Sequence, residues 1–445
     1  MNRRKFLQST ALAAAAPLVI TNFKVFGADA PSNKLNLALI GTWGRGEAHF
    51  DALLTQNVVA LCDVDEEHLA FGLAKFPGAK TYADWRKLLD DHKTLGLDGI
   101  VICSPDHTHA FATNWAMNRG LHVYCEKPLA NTIEEARIVR ANYLKNKTKL
   151  ATQVGTQRHA FQNFNRVKEL IRDGAIGELT AAYAFGNRKL PKPGYLPAAG
   201  TPPSTLNYDL WLGPAPFHPY NPDYFSGKSG ANCLQWNMYW DFGNGQVGDM
   251  GSHTMDLVWN AIDAAPPTAA EAKGDPFNPE VSPVMLETHT EHPANDWRGP
   301  IRVGWYQGGA LLNSPRDFID LDKIGHGALF KGKKGFLIAG FETRVIVPYG
   351  DEADLTYYKP RAKDEVLPPL GHFQEEWFNA CKGNLKTSCD FDYAGQMIEQ
   401  MLLGLVAYRA GERIEYDAAA GRVTNIPAAN AFLSRSYREG WTLNG

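Results

Sequence analysis

The sequence predicts an α/β protein: a doubly wound parallel sheet in the N-terminal third, then an α/β domain built on a large, mostly antiparallel open sheet. Three observations carry this. Short apolar runs alternate with helix-period stretches up to about residue 155. Several of those runs stop abruptly at Gly, Asp or Ser-Pro. Beyond about residue 160 the pattern changes to β-like runs separated by Gly, Pro and Asp. Strands alternating with helices mean βαβ units and a parallel sheet.

Lys34–Ile40 (KLNLALI) is an apolar run ending in a Gly-rich turn, and reads as a buried strand. Helical periodicity follows over Glu47–Leu54. Val58–Cys62 is the second strand and ends at Asp63. Glu66–Lys75 and Ala83–His92 are helical, and Gly99–Cys103 is a strand stopped by Ser104-Pro105. His107–Arg119 is helical, His122–Cys125 a strand, Thr132–Asn146 helical and Leu150–Val154 a strand. Then come a helix at Phe164–Asp173 and a strand at Leu179–Phe185. Gly186–Gln235, rich in Pro, Gly, Tyr and Asn, predicts a long irregular segment of the kind that forms lids or substrate walls. Asp249–Ile262 is a helix, Val281–Val347 an antiparallel set of strands, and His372–Lys382 and Tyr393–Ala410 are helices.

At 445 residues the chain is long enough for two domains, since one usually takes roughly 100–200 residues. The net charge of −3 and the lack of a basic block argue against nucleic acid as a partner. Residues 1–30 read as a signal rather than as fold. Arg3-Arg4 before Phe6-Leu7 is a twin-arginine pattern, Ala11–Ile20 is a short apolar core, and Ala28-Asp29-Ala30 is a cleavage site. The expected organisation is therefore a twin-arginine signal at 1–30, a cofactor domain at 31–155 and a substrate and oligomerisation domain at 156–445. That signal predicts export, folded, to the periplasm or beyond. No later stretch is apolar enough to span a bilayer. Six Cys without a C-x-x-C give no metal expectation; Cys381 and Cys389 could pair in an oxidising compartment.

Chemistry concentrates where strands end. After the first strand comes Gly41-Thr42-Trp43-Gly44-Arg45-Gly46. A Rossmann phosphate loop uses Gly for the tight turn, the close approach of pyrophosphate and helix–strand packing. Here Gly41 and Gly46 hold the outer places, Trp43 stands in the middle one, and Gly44 supplies flexibility one step later. Asp63, seventeen residues beyond Gly46, is placed to bond the ribose hydroxyls of NAD and to repel the extra phosphate of NADP; a helix N-cap is the other reading.

Ser104, Pro105, His107 and His109 stand on the carboxyl edge, where ligands bind in such sheets. The two His line the cofactor site or serve as satisfied turn histidines. Glu126-Lys127-Pro128 follows the next strand, and a Lys on that edge can meet a substrate hydroxyl beside the nicotinamide. Asp249 and His253 are four apart, so on a helix they share a face. The carboxylate then orients an imidazole that exchanges a proton near neutral pH, or the pair is a cap beside a core His.

Taken in order, the Gly41–Gly46 loop, Cys62-Asp63-Val64-Asp65, Ser104–His109, Glu126-Lys127-Pro128, Gln153–Arg158, Gly174–Gly177 and Asp249-x-x-x-His253 resemble the glucose–fructose oxidoreductase, inositol dehydrogenase and rhizopine-catabolism (Gfo/Idh/MocA) family over essentially the whole chain past residue 30. The resemblance implies a Rossmann domain followed by an α/β domain whose open sheet often mediates homo-oligomers. It implies NAD as cofactor, held by the Gly loop, Asp63, Ser104–His109, Glu126, Lys127 and Gln157. It also implies catalysis by Lys127, Asp249 and His253. The expected reaction is hydride transfer from a secondary hydroxyl of a sugar, glycoside or polyol. Redox-neutral members, such as NAD-dependent glycosidases, oxidise the sugar only transiently, and a non-catalytic sugar-binding protein is the third possibility. Arg158, Asn187, Trp236, Trp240 and Asp256 are the expected substrate contacts, the two Trp by stacking or by plain packing.

Overall fold

A computed structural model describes residues 33–309, 312–350, 354–359, 361–362 and 366–445. The twin-arginine segment therefore lies outside the described residues. β1 (Asn36–Ile40), β2 (Asn57–Cys62), β3 (Lys80–Tyr82), β4 (Gly99–Ile102), β5 (His122–Cys125) and β6 (Thr152–Val154) form one sheet in the order β3-β2-β1-β4-β5-β6. Every pairing in it is parallel. β4 is buried along its whole length, as a parallel strand covered on both faces must be. Chain order reverses between β1 and β4, which opens a crevice at the carboxyl edge. The linking helices are α1 (Glu66–Lys75), α2 (Trp85–Asp90), α3 (Asp106–Asn118) and α4 (Ile133–Asn146). Asp65, not Asp63, caps α1 by accepting from the Glu67 N–H. Thr132 caps α4 through the Glu135 N–H.

After α5 (Gln162–Arg172), nine strands make the second sheet: β7 (Leu179–Gly186), β8 (Ala269–Gly274), β9 (Leu286–His292), β10 (Ile301–Gln307), β11 (His326–Gly332), β12 (Gly335–Ala339), β13 (Arg344–Pro348), β14 (Ile414–Asp417) and β15 (Arg422–Val423). Their order is β13-β12-β11-β7-β10-β9-β8-β14-β15. All pairs are antiparallel except β7 with β10. α6 (Ser252–Ile262) and α8 (Phe391–Ala410) bury their apolar sides on this sheet, and one hydrophobic core runs from there into the first sheet.

Two segments late in the chain return to the first sheet. Trp377 of α7 (Phe373–Lys382) packs with Leu37, Leu39, Leu61, Val101 and Tyr124. Trp441 meets the Trp85 ring at 5.9 Å. No helix among the described residues is long and apolar enough to cross a membrane. All six cysteines are free thiols, so Cys381 and Cys389 are not joined.

Residues 186–235 are irregular but anchored. Tyr208, Trp211, Tyr224 and Trp236 form an aromatic cluster with Tyr239 and Phe242. The segment also docks on the first sheet: Glu66 N–H donates to Thr205 O at 2.9 Å and Asn207 N–H to Val64 O at 2.8 Å. Further along, Ser229 Oγ donates to Glu47 at 3.1 Å.

Candidate active site

The first-sheet turns build the cofactor side. Gly41 has φ +85°, and a Cβ there would lie 2.7 Å from the Cys103 carbonyl. A Cβ on Gly46 would lie 2.0 Å from Gly41 O. No other residue fits these two places without the loop moving. Gly44 takes the left-handed turn, φ +64°, that the motif normally assigns one residue earlier. Trp43, in the middle place, turns aside and stacks on His68 at 4.6 Å. Asp63 braces the loop: its Oδ2 accepts from Thr42 N–H at 2.8 Å and Thr42 Oγ1 at 3.2 Å. Asp63 also lines a cleft of about 530 Å³ with Val64, Tyr82, Ser204 and Asn207. A glycine cradle with no room for a Cβ, and a carboxylate at the mouth of an adjoining cleft, fit a dinucleotide. Replacing Asp63 by Ala is expected to weaken NAD about tenfold, a charged hydrogen bond's share, and to narrow the preference over NADP. Cofactor titration checks it, and equal wild-type affinity for NAD and NADP would place Asp63 away from the ribose.

Arg45 and Glu126 tie the loop to β5. Glu126 Oε1 receives Arg45 Nε at 2.9 Å and His49 Nε2 at 2.8 Å. Burial pushes this carboxyl up, but Arg45 and His49 outweigh it and hold it well below the usual range. The geometry gives Glu126 a bracing place behind the loop. Ser104 and Pro105 lie at the end of β4, half-buried at the crevice. His107 and His109 are corrections: both are fully buried, beneath the crevice rather than lining it. His107 Nε2 meets Trp211 O at 2.9 Å, and burial pushes its pKa down to about 3. His109 bridges Ser104 O and Pro128 O, each at 2.7 Å, and so links the ends of β4 and β5.

Facing this edge is Asp249. Its Oδ1 holds Lys127 Nζ at 2.6 Å and its Oδ2 holds Arg188 Nη1 at 2.6 Å. The expected Asp249–His253 partnership is corrected. Val247–Gly251 is a π turn leading into α6, and the two Asp249 oxygens are taken by Lys127 and Arg188, so Asp249 makes no hydrogen bond to His253 among the described residues and acts on it only through space. Burial pushes the Lys127 ammonium down, yet Asp249, together with Cys233 and Asp106, more than offsets it and keeps the pKa above the usual lysine value. His253 is buried and its Nδ1 has no partner. Burial, then Lys127 and Arg158, keep it neutral well below the usual histidine range. Gln157 Oε1 and Asn187 Oδ1 are likewise buried acceptors without partners.

Arg188, His326 and Cys233 escaped the sequence reading. β11 pairs His326 with Gly186 of β7, and burial and Arg188 push its pKa down to about 4. Its Nε2 is also unpartnered. The Cys233 thiol is pushed up to about 12 by burial and by Asp249. Arg188 follows Asn187 at the end of β7, so the strand-end logic used on the first sheet would have found it.

Three expected substrate contacts are also corrected. Trp236 is buried in the aromatic cluster, where packing is its work. Trp240 donates to Asn278 O at 2.9 Å and packs against the main core. Asp256 is fully buried and receives His159 Nδ1 at 2.9 Å and Tyr393 OH at 2.6 Å. With Cys389, these residues bring three donor atoms within 4.8 Å, occupied by their own hydrogen bonds. Asp256→Ala leaves the buried His159 ring and Tyr393 hydroxyl without their acceptor and is expected to cost about 3–5 kcal/mol, read as the midpoint of denaturant unfolding. A loss under about 1 kcal/mol would show the pair to be inessential.

Residues 35–155 match the family model for the oxidoreductase NAD-binding Rossmann fold, and residues 194–280 match that for the oxidoreductase C-terminal α/β domain. The chain is 32% identical over 150 residues to an inositol 2-dehydrogenase of Rubrobacter xylanophilus, covering 33% of this chain and 42% of that protein. It is 31% identical over 199 residues to a glycosyl hydrolase family 109 protein of Stenotrophomonas maltophilia, covering 40% of each. The chain thus spans less than half the length of these two relatives. Among solved structures, the WlbA dehydrogenase of Bordetella pertussis, in complex with NADH and UDP-GlcNAcA, superposes with a TM-score of 0.60 at 15% identity, over 86% of this chain and 99% of that one. A levoglucosan dehydrogenase in complex with NADH and levoglucosan gives 0.56 at 17% identity, over 86% and 99%. These structures share the fold.

Proposed function

We propose that this chain is a member of the Gfo/Idh/MocA oxidoreductase family and an NAD-dependent oxidoreductase acting on a secondary hydroxyl of a sugar, glycoside or polyol, a reading supported by its match, in order, to the NAD-binding Rossmann and C-terminal α/β family models. The observation that carries the reading is the opposition of a held cation to an unpartnered neutral base: Lys127 fixed by Asp249 at 2.6 Å, and His253 with a free Nδ1. Gly41, Gly44 and Gly46 give the pyrophosphate its backbone cradle, and Asp63 and Ser104 line the crevice. NAD, when bound, supplies the acceptor for hydride. Lys127 stays protonated and donates a hydrogen bond to the substrate oxygen, stabilising its developing charge. His253 takes the hydroxyl proton. Asp249 keeps Lys127 charged and aimed. Asn187 and Gln157 offer acceptors for the other hydroxyls.

A second reading, redox-neutral turnover on retained NAD, is favoured by residues 186–235. They clip onto the Val64–Glu66 turn at one end of the cofactor crevice and approach the Gly44 loop at the other. A dinucleotide beneath such a strap leaves slowly. The same reading has the chain exported by its Arg3-Arg4 segment with cofactor aboard, and assembling with copies of itself. The experiment is to purify without added nucleotide, dialyse, denature and assay what is released. About one NAD per chain supports retention, which needs a nanomolar or tighter constant. Cofactor-free protein that binds NAD with only micromolar affinity returns the assignment to a simple dehydrogenase.

A further inference from the structure

The site has more positive charge than its own carboxylate balances. Lys127 and Arg188 share Asp249. The Arg158 guanidinium has neither a hydrogen bond nor an ion pair among the described residues, and lies over the Phe341 ring at 3.9 Å. That ring in turn meets His253 edge-on at 6.4 Å, which sets the free guanidinium beside the proposed base. The other acids nearby offer no relief. Glu126 is engaged by Arg45 and His49, and burial pushes the Asp106 carboxyl well above the usual carboxylate range. Glu342 acts on Arg158 only weakly, as the last of the influences on it after burial, Arg188, Asp249 and Arg45, and is exposed to solvent that screens it. Arg188 depresses the Arg158 pKa, after burial, as two adjacent guanidinium groups must. The oxidised nicotinamide ring is itself cationic, so binding NAD adds to the excess. A half-buried arginine with no partner is costly unless a ligand completes it.

Resting on the oxidoreductase reading above, we infer that the substrate is an acidic sugar, whose anionic group docks on Arg158 and Arg188 while its hydroxyl meets Lys127 and His253. Asn187 Oδ1 and Gln157 Oε1 take hydroxyl protons of the same ring. A carboxylate, a phosphate ester and a sulfate ester share this chemistry.

The test uses the full holoprotein and follows reduction of its nicotinamide by absorbance. The probes are matched pairs: glucuronate and galacturonate against their methyl esters, and glucose 6-phosphate and glucose 6-sulfate against glucose. In at least one pair the anionic member should exceed its neutral partner by about 10²-fold in kcat/KM, the scale of a desolvated charge pair. The pair that responds identifies the anion. Arg158→Gln should bring that ratio to within a few-fold of one, with NAD content and melting temperature kept as the check on folding. Wild-type protein gives an independent reading: higher ionic strength should slow the anionic member and leave its neutral partner unchanged. Neutral members turned over as well as anionic ones would overturn the inference and leave the oxidoreductase reading standing. Reduction by neutral sugars or polyols alone, with none of the anionic members active, would likewise overturn the inference and leave the oxidoreductase reading standing.

Discussion

Lys127→Met is expected to lower turnover by about 10²–10⁴-fold, the usual contribution of a positioned proton-handling group, while fold and NAD content stay near wild type. Met keeps the length and most of the volume of the stem, so packing changes little. What disappears is the ammonium held 2.6 Å from Asp249. The substrate oxygen then loses its cationic donor just as charge develops on it. Asp249 keeps Arg188 at 2.6 Å, so the carboxylate is not left unpaired and the π turn should hold. Single-turnover reduction of bound nicotinamide separates this chemical defect from slow product release. A variant retaining more than about a tenth of wild-type rate would remove Lys127 from the reaction.

Asp249→Asn is expected to cost about 10²–10³-fold, and its pH profile tells what the carboxylate does. In the wild type, Asp249, with Cys233 and Asp106, more than offsets burial and raises the Lys127 pKa above its usual value. The charged donor therefore persists to high pH and is lost only on the alkaline side as it deprotonates. Removing the carboxylate takes away the largest influence that opposes burial, so the alkaline limb should move to lower pH. Asp249 also raises the His253 imidazole pKa through space, so the acid limb should move to lower pH as well, but only the alkaline limb reports the Lys127 pairing. Rates from about pH 4 to 11 check it, and an alkaline limb that begins no earlier than in the wild type would contradict the pairing seen here.

The first sheet was legible because its signals are local. Gly41, Gly46, Asp63 and Ser104-Pro105 each end a strand, and each works within a few residues of that end. The Lys127 strand end was legible for the same reason. What the sequence hid depends on contacts between distant elements. Arg188 reaches Asp249 only because β7 comes beside the turn before α6, and His326 joins them through the β11 pairing with β7. The periodicity of Asp249–Ile262 read as one helix, whereas its first turn is π. Lys127 and Arg188, brought in from two other elements, take both Asp249 oxygens and leave neither for His253. Asp256 and Trp236 carry the right chemistry for a sugar wall, but burial sends one to His159 and the other into an aromatic cluster. No local pattern distinguishes a Trp that stacks on a ligand from one that packs.

The most direct measurement is the absorbance of nicotinamide on the protein, loaded with NAD beforehand and mixed with a panel of sugars, sugar acids and polyols. The account predicts a rise in the NADH band with at least one of them, one equivalent per site at most, and no rise in Lys127→Met on the same timescale. Protein that holds or binds NAD yet shows no change with any sugar, or an equal rise in the Lys127 variant, would contradict it.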